Sequence, residues 1–211
     1  QHMNRSSTAK ATVVEHDNSP CPAVTYRLAT THDELEAAFA LVWDAYTEVG
    51  LHHSDDAGLR LTKYHLLPDT RVFIAVANTE TQQAGKTILE EKVVGTVSVV
   101  HDGCLGLPAE ELSKEQIITL RQEGGRLAEF IALASNKQGT DNRVTMKLLR
   151  LAYEYCHQNG VTQIVASLAK HHIGFYRRFM GFTALGKLSC YQSANGTNAQ
   201  VHTLCVKSSS S

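Results

Sequence analysis

The run Leu127–Ala134 (LAEFIALA) sets one carboxylate, Glu129, among otherwise apolar residues. A segment this short and apolar reads as a strand buried on both faces. An ionised carboxylate in such a place is costly unless it is paired or its pKa is raised. Glu129 is therefore the first candidate for chemistry. The alternative is a structural ion pair with Arg126 or another arginine.

The residues after this strand narrow the fold. Thr140 or Asp141 can cap a long helix whose stripe is Val144, Leu148, Leu151 and Tyr155, and Gly160 ends it. Gln163–Leu168 is then a fifth strand, so a right-handed crossover joins it to the Glu129 strand. Upstream, Val24–Ala29 is a strand. Thr31 and Glu34 make a capping box for a helix carrying Leu35, Phe39, Val42, Trp43 and Tyr46 on its apolar stripe, which places Trp43 and Tyr46 in the core. Gly58–Leu66 reads as a shorter helix ending before Pro68. Arg71–Ala77 and Lys92–Val100 are strands, with the polar Asn78–Glu90 as a long hairpin loop between them. Ser113 and Gln116 form a second capping box for a helix that stops at Gly124-Gly125. His172–Met180 is a short helix, and Phe182–Leu188 with Gln200–Val206 a final hairpin. The order β-α-α-β-β-α-β-α-β-α-β-β specifies a mixed α/β sheet.

With 211 residues, 43% of them hydrophobic, the chain can build one good-sized domain, expected over residues 24–207. Gln1–Ala23 and Ser208–Ser211 read as flexible tails. A net charge of −1 gives no global field for nucleic acid or an anionic membrane. No apolar run reaches the roughly 18 residues of a membrane span, and no signal pattern opens the chain. Five scattered cysteines, none spaced C-x-x-C, point to reduced thiols and a cytoplasmic setting, with no zinc site. His52-His53 followed by Asp55-Asp56 has some look of a metal site. Adjacent residues rarely converge on one ion, so no metal is expected there.

Four segments carry a family resemblance: GLRLTKYHLLPDTRVF (58–73), VVGTVSVVHDGCLGLP (93–108), LRQEGGRLAEFIALA (120–134) and HHIGFYRRFMGF (171–182). The chain resembles the GCN5-related N-acyltransferase superfamily and, within it, the bacterial long-chain N-acyl amino acid synthases, relatives of the acyl-homoserine lactone synthases. The resemblance implies a mostly antiparallel central sheet whose fourth and fifth strands splay apart. It also accounts for the helix inserted between the third and fourth strands. The implied reaction moves a long-chain fatty acyl group from a thioester to the α-amine of an amino acid, with tyrosine the specific expectation.

One departure bears on the donor. Superfamily members that use coenzyme A carry a Q/R-x-x-G-x-G/A loop where the crossover helix begins, and its N–H groups hold the pyrophosphate. Here residues 136–143 (NKQGTDNR) have one glycine, and Asp141 stands where an anion would bind. This favours the phosphopantetheine arm of an acyl carrier protein over coenzyme A. No tightly bound cofactor is expected.

The implied reactants assign roles. Only a free amine attacks a thioester, so a general base is needed, and Glu129 is the candidate. Backbone N–H groups from Ile131 to Leu133 can stabilise the oxyanion if the strand bulges there. Tyr176, ahead of Gly181-Phe182, can protonate the departing thiolate or be a plain buried ring. The acceptor's carboxylate calls for an arginine, Arg60 first, then Arg121 and Arg126. Phe130, Ala132, Ser167, His172 and Phe175 complete the expected substrate contacts. Leu66, Leu67, Phe73, Phe130, Leu133 and Phe175 are the candidates to line an acyl tunnel. A carrier protein presents an acidic helix, so Lys147, Arg150, Lys170, Arg177 and Arg178 are candidates for a basic rim. The competing readings are a coenzyme A-dependent N-acetyltransferase with a decayed loop, and a non-catalytic fatty-acyl-binding regulator of the same fold.

Overall fold

The computed structural model describes residues 24–51, 58–83, 86–136 and 142–207. Eight strands form one sheet in the order β1-β2-β3-β4-β5-β8-β6, with β7 also paired to β8. The strands are β1 (Val24–Leu28), β2 (Arg71–Gln83), β3 (Lys86–His101), β4 (Leu127–Ser135), β5 (Gln163–Ala169), β6 (Thr183–Ala184), β7 (Ser189–Tyr191) and β8 (Thr197–Cys205). Among them only β4 and β5 pair in parallel. That is the crossover expected from the long helix between them.

Two helices cover one face of the sheet. Helix α1 (His32–Glu48) begins at Thr31, whose hydroxyl accepts from the Glu34 N–H while the Glu34 carboxylate accepts from the Thr31 N–H, the capping box read in the sequence. Its Ala38 and Phe39 pack on Val72, Ile74 and Val76 of β2, and its Val42 on Ala132 and Ala134 of β4. Helix α2 (Glu110–Gln122) sets Ile117 against Leu127, Val165 and Val201. Helix α3 (Arg143–Gln158) covers the opposite face with Val144, Leu148, Leu149, Ala152 and Cys156. Leu151 and Tyr155, assigned to that stripe from sequence, are only partly buried. Helix α4 (Ile173–Phe175) runs into a π-helical turn, Tyr176–Met180, on the α3 face. The turn closes at Gly181, whose φ of +77° suits glycine.

Several boundaries differ from the sequence reading. The hairpin expected to loop over Asn78–Glu90 instead continues as paired strand to Gln83↔Lys86. Most of its residues are polar, so the pattern that marks a buried strand is missing. The helix expected over Gly58–Leu66 reduces to a 3-10 turn, Lys63–Leu66. Ser113 does not bond the backbone as a cap: it sits at a non-helical φ of −147° inside α2, and among the described residues its buried hydroxyl has no partner. In place of one final hairpin, β6 and β7 each pair with β8. The expected caps Thr140 and Asp141, most of the 136–143 loop and the His52–Asp56 cluster lie outside the described residues.

Candidate active site

The sheet forks just past Glu129. The β4–β5 ladder consists of Leu127↔Gln163, Ala128↔Ile164 and Glu129↔Val165, and stops there. Beyond it β4 continues beside β3 alone, and β5 beside β8. Glu129 thus occupies the last paired position before the strands part.

A bulge in β4 faces this fork. Ser98 pairs with Ile131 and Thr96 with Ala134, so Val97 of β3 opposes both Ala132 and Leu133. Ala132 takes φ = +53°, a left-handed conformation unusual for a residue with a Cβ. The extra residue also inverts the side-chain alternation. Ala128 and Phe130 point to the α3 face, and Leu133 packs there too, whereas Ala134 turns to α1. The expected bulge over Ile131–Leu133 is therefore centred on Ala132 and Leu133, with Ile131 still in register.

Glu129 is fully buried. Its Oε2 accepts the Ala109 N–H at 2.7 Å, and its Oε1 accepts the Ser167 hydroxyl at 3.1 Å. Among the described residues it has no cationic partner, so the ion pair with Arg126 does not form. Burial pushes its pKa up to about 8. The two hydrogen bonds oppose that rise, and the nearby Glu110 carboxylate adds to it.

The Ala109 N–H is held in place from behind. Arg121 donates from Nε to Asp102 Oδ2 and from Nη2 to Asp102 Oδ1, both at 2.7 Å, and Nη2 also donates to Glu110 Oε1. Glu110 Oε1 in turn accepts the Leu107 N–H at 2.9 Å. These bonds tie the loop from Asp102 to Ala109 onto α2. Arg121 is thus committed to two carboxylates and is withdrawn from binding the acceptor. Arg126 sits at the paired end of β4, its guanidinium against Gly160, and is withdrawn likewise.

Arg60 lies on the Glu129 face. Its guanidinium carbon sits 4.9 Å from the centre of the Tyr46 ring, and Nη2 donates to the Ser193 carbonyl at 3.1 Å. The Ser193 N–H donates to Glu111 at 3.0 Å, so the turn after β7 links Arg60 to α2. Tyr64 and Tyr191 line the same region: burial raises both phenols, and the Glu129 charge raises them further. Tyr46, assigned to the core from sequence, packs against the Val42, Ala132 and Ala134 cluster and is also covered by the Arg60 cation. Sequence reasoning missed Tyr64, Tyr191 and the His65–Ser98 contact (3.2 Å). Tyr64 and His65 lie inside the family-like segment 58–73, which was the available signal. Tyr191 had none.

Tyr176 is buried on the opposite side of the fork, edge-on to Phe175 and Phe182 with ring centres 5.6 Å away in each case. Burial raises its phenol strongly, and the Tyr46 phenol adds to the shift. His172 occupies the N-cap of α4, where its carbonyl accepts the Phe175 and Tyr176 N–H groups. Phe175 is partly buried against Tyr176 and Phe179. Leu66 is 74% exposed and lines no tunnel, whereas Phe73 is plain core. The basic residues do not gather as one rim. Lys147 leans over Tyr26 of β1, and Arg150 pairs with Glu154 at 2.9 Å. Lys170, Arg177 and Arg178 are each exposed, in the segment that follows β5. A groove of about 700 Å³ runs between α1 and the β2–β3 end of the sheet, lined by Asp33, Asp44, Glu91 and Asn136, away from Glu129.

Among the described residues no His, Cys, Asp and Glu cluster could hold a metal ion, and no helix is long and apolar enough to cross a membrane.

A sheet forked after a parallel pair, with a bulged fourth strand and a crossover helix, is the fold of the GCN5-related N-acyltransferases, and solved structures agree. FeeM, an N-acyl amino acid synthase from uncultured soil microbes, superposes with a TM-score of 0.72 at 22% identity, over 88% of this chain and 92% of that one. The acyl-homoserine lactone synthase LasI gives 0.59 at 13%, over 88% and 91%. A coenzyme A-dependent acyl-homoserine lactone synthase, BjaI, solved with SAM and isopentyl-CoA, gives 0.53 at 17%, over 83% and 77%. No curated protein matches the chain. The family model described as N-acyl amino acid synthase FeeM matches residues 37–205. The chain belongs to that family and is an N-acyltransferase.

Proposed function

We propose that the enzyme transfers a long-chain fatty acyl group from the phosphopantetheine thioester of an acyl carrier protein to the α-amine of an amino acid, tyrosine first among the acceptors. The reading rests above all on Glu129, a buried carboxylate at the fork with a pKa near 8 and, among the described residues, no cation to neutralise it.

In this scheme the acceptor enters as its ammonium form and gives one proton to Glu129, directly or through a water. The freed amine attacks the thioester carbonyl carbon, and the oxygen takes up the negative charge beside the Ala132 and Leu133 N–H groups of the bulge. Collapse re-forms the carbonyl and breaks the C–S bond. The departing thiolate takes a proton from Tyr176 or from solvent. The attacking nitrogen gives up its second proton to the tyrosinate so formed or to solvent, and Glu129 returns its own proton to solvent. Products are an amide and the free thiol of the arm. Arg60 binds the acceptor's carboxylate, while Tyr46, Tyr64 and Tyr191 give that region a surface suited to an aromatic side chain. Lys170, Arg177 and Arg178, in the segment that follows β5, suit an acidic carrier protein.

The donor is tested by supplying the same fatty acyl group on carrier protein and on coenzyme A in separate reactions with tyrosine. Faster turnover of the carrier-bound group is expected. Turnover of acyl-coenzyme A alone would replace this donor assignment, and no turnover with either donor would favour a non-catalytic acyl-binding role.

A further inference from the structure

Ser98 is a buried hydroxyl with no part in the acyl transfer from thioester to amine. It points to the same face of the sheet as Glu129, because it opposes Ile131, two residues further along β4. It also stands immediately beside the bulge. The residue is 1% exposed.

His65 fixes what this hydroxyl can do. The Thr62 main-chain N–H, which can only donate, reaches His65 Nδ1 at 3.1 Å. Nδ1 is therefore the bare nitrogen, and the proton of the neutral ring is on Nε2. Burial holds the His65 pKa down at about 4, which keeps the ring neutral at neutral pH. Nε2–H donates to Ser98 Oγ at 3.2 Å, so Oγ is the acceptor in that bond. The hydroxyl's own hydrogen is left over. Among the described residues it finds no acceptor, although a buried donor usually has one.

The group that would satisfy it is an oxygen, and a negatively charged one best. Arg60 supplies the second half of an anion site: it belongs to the same segment as Thr62 and His65, and its charge is felt by the His65 ring. Only one of its guanidinium donors goes to Ser193.

We infer that the Ser98 hydroxyl, oriented by His65, donates to the carboxylate of the acceptor amino acid and, with Arg60, makes the enzyme select amino acids over simple amines. Ser98 touches the substrate, and His65 is a positioning residue. The inference rests on the reading that the acceptor is an amino acid.

The test compares the amino acid that the wild-type enzyme turns over fastest with its decarboxylated amine. Ser98→Ala is expected to raise KM for the amino acid roughly 10–100-fold, the worth of a hydrogen bond to a charged group. Its kcat and its KM for the amine should stay within about twofold. Ser98→Thr, which keeps the hydroxyl, should recover most of the loss. His65→Phe should give a smaller increase of the same kind. The thermal melt of each variant shows that it folds. An amino-acid KM unchanged in Ser98→Ala, or raised equally for the amine, overturns the Ser98 assignment and leaves the synthase reading standing. A wild-type enzyme indifferent to the carboxylate overturns both.

Discussion

The main-chain N–H of Ala109 points at Oε2 of Glu129 from 2.7 Å, across the junction between the α2 loop and the centre of β4. One backbone donor and one hydroxyl, that of Ser167, are all that the described structure offers this carboxylate. They orient it without holding it ionised, which is the balance a general base near neutrality requires.

The pKa of Glu129, raised from an ordinary 4.5 to about 8, makes both activity and stability depend on pH. As a base it works deprotonated, so kcat/KM should climb with pH and level off above about 8. The folded state prefers the neutral acid. Its contribution is therefore complete below about pH 4.5 and is lost as pH rises through 8. The full shift corresponds to as much as about 5 kcal/mol. Glu129→Gln should flatten the fall in Tm between those limits, as read by thermal melts across pH.

Ser167→Ala removes a hydrogen bond that favours the ionised form. The rise in kcat/KM should move to higher pH by about one unit, with roughly tenfold less activity at pH 7 and near-normal activity well above pH 9. A pH–rate profile checks this. An unshifted profile would mean that Ser167 does not bear on the base.

Arg121 is a structural residue here. Arg121→Leu leaves Asp102 and Glu110 unpaired and frees the loop that carries Ala109. Stability should fall by roughly 1–3 kcal/mol in urea unfolding. Activity should fall through kcat, with the acceptor KM near its normal value. A large rise in that KM instead would return Arg121 to the binding site.

Much of the fold was legible in the chain, and the parts that were not share a cause. The Glu129 strand, the crossover after it and the Thr31 capping box show in local pattern, because burial on both faces and helix ends leave residue signatures. The bulge was expected from the superfamily resemblance, and the structure centres it on Ala132. The long β2–β3 ladder was hidden because its outer half is mostly polar in sequence, and Ile88 and Leu89 within it are exposed. The surroundings of Arg60 bring Tyr46 and Tyr64 together with Tyr191 and Ser193 from far along the chain, and that meeting depends on β7 pairing with β8. Arg121 and Arg60 look alike in sequence. Only the positions of Asp102 and Glu110 mark Arg121 as an anchor.

Gly95 marks where α3 lies against β3. A Cβ there would fall 2.8 Å from Val144 Cγ1 and 2.9 Å from Leu148 Cδ1. Gly95→Val should cost about 1–3 kcal/mol by overpacking, seen as a lower Tm. Gly95→Ala should cost less, since both contacts are side-chain methyls that can shift.

The most direct measurement tracks formation of the acylated amino acid by mass spectrometry, with purified wild-type enzyme and Glu129→Gln at equal concentration, matched folding and pH 8. The variant should form product about 10²–10⁴ times more slowly. Product formed at the wild-type rate would show that Glu129 is not the base, and the account of the fork as an amine-activating site would fall with it.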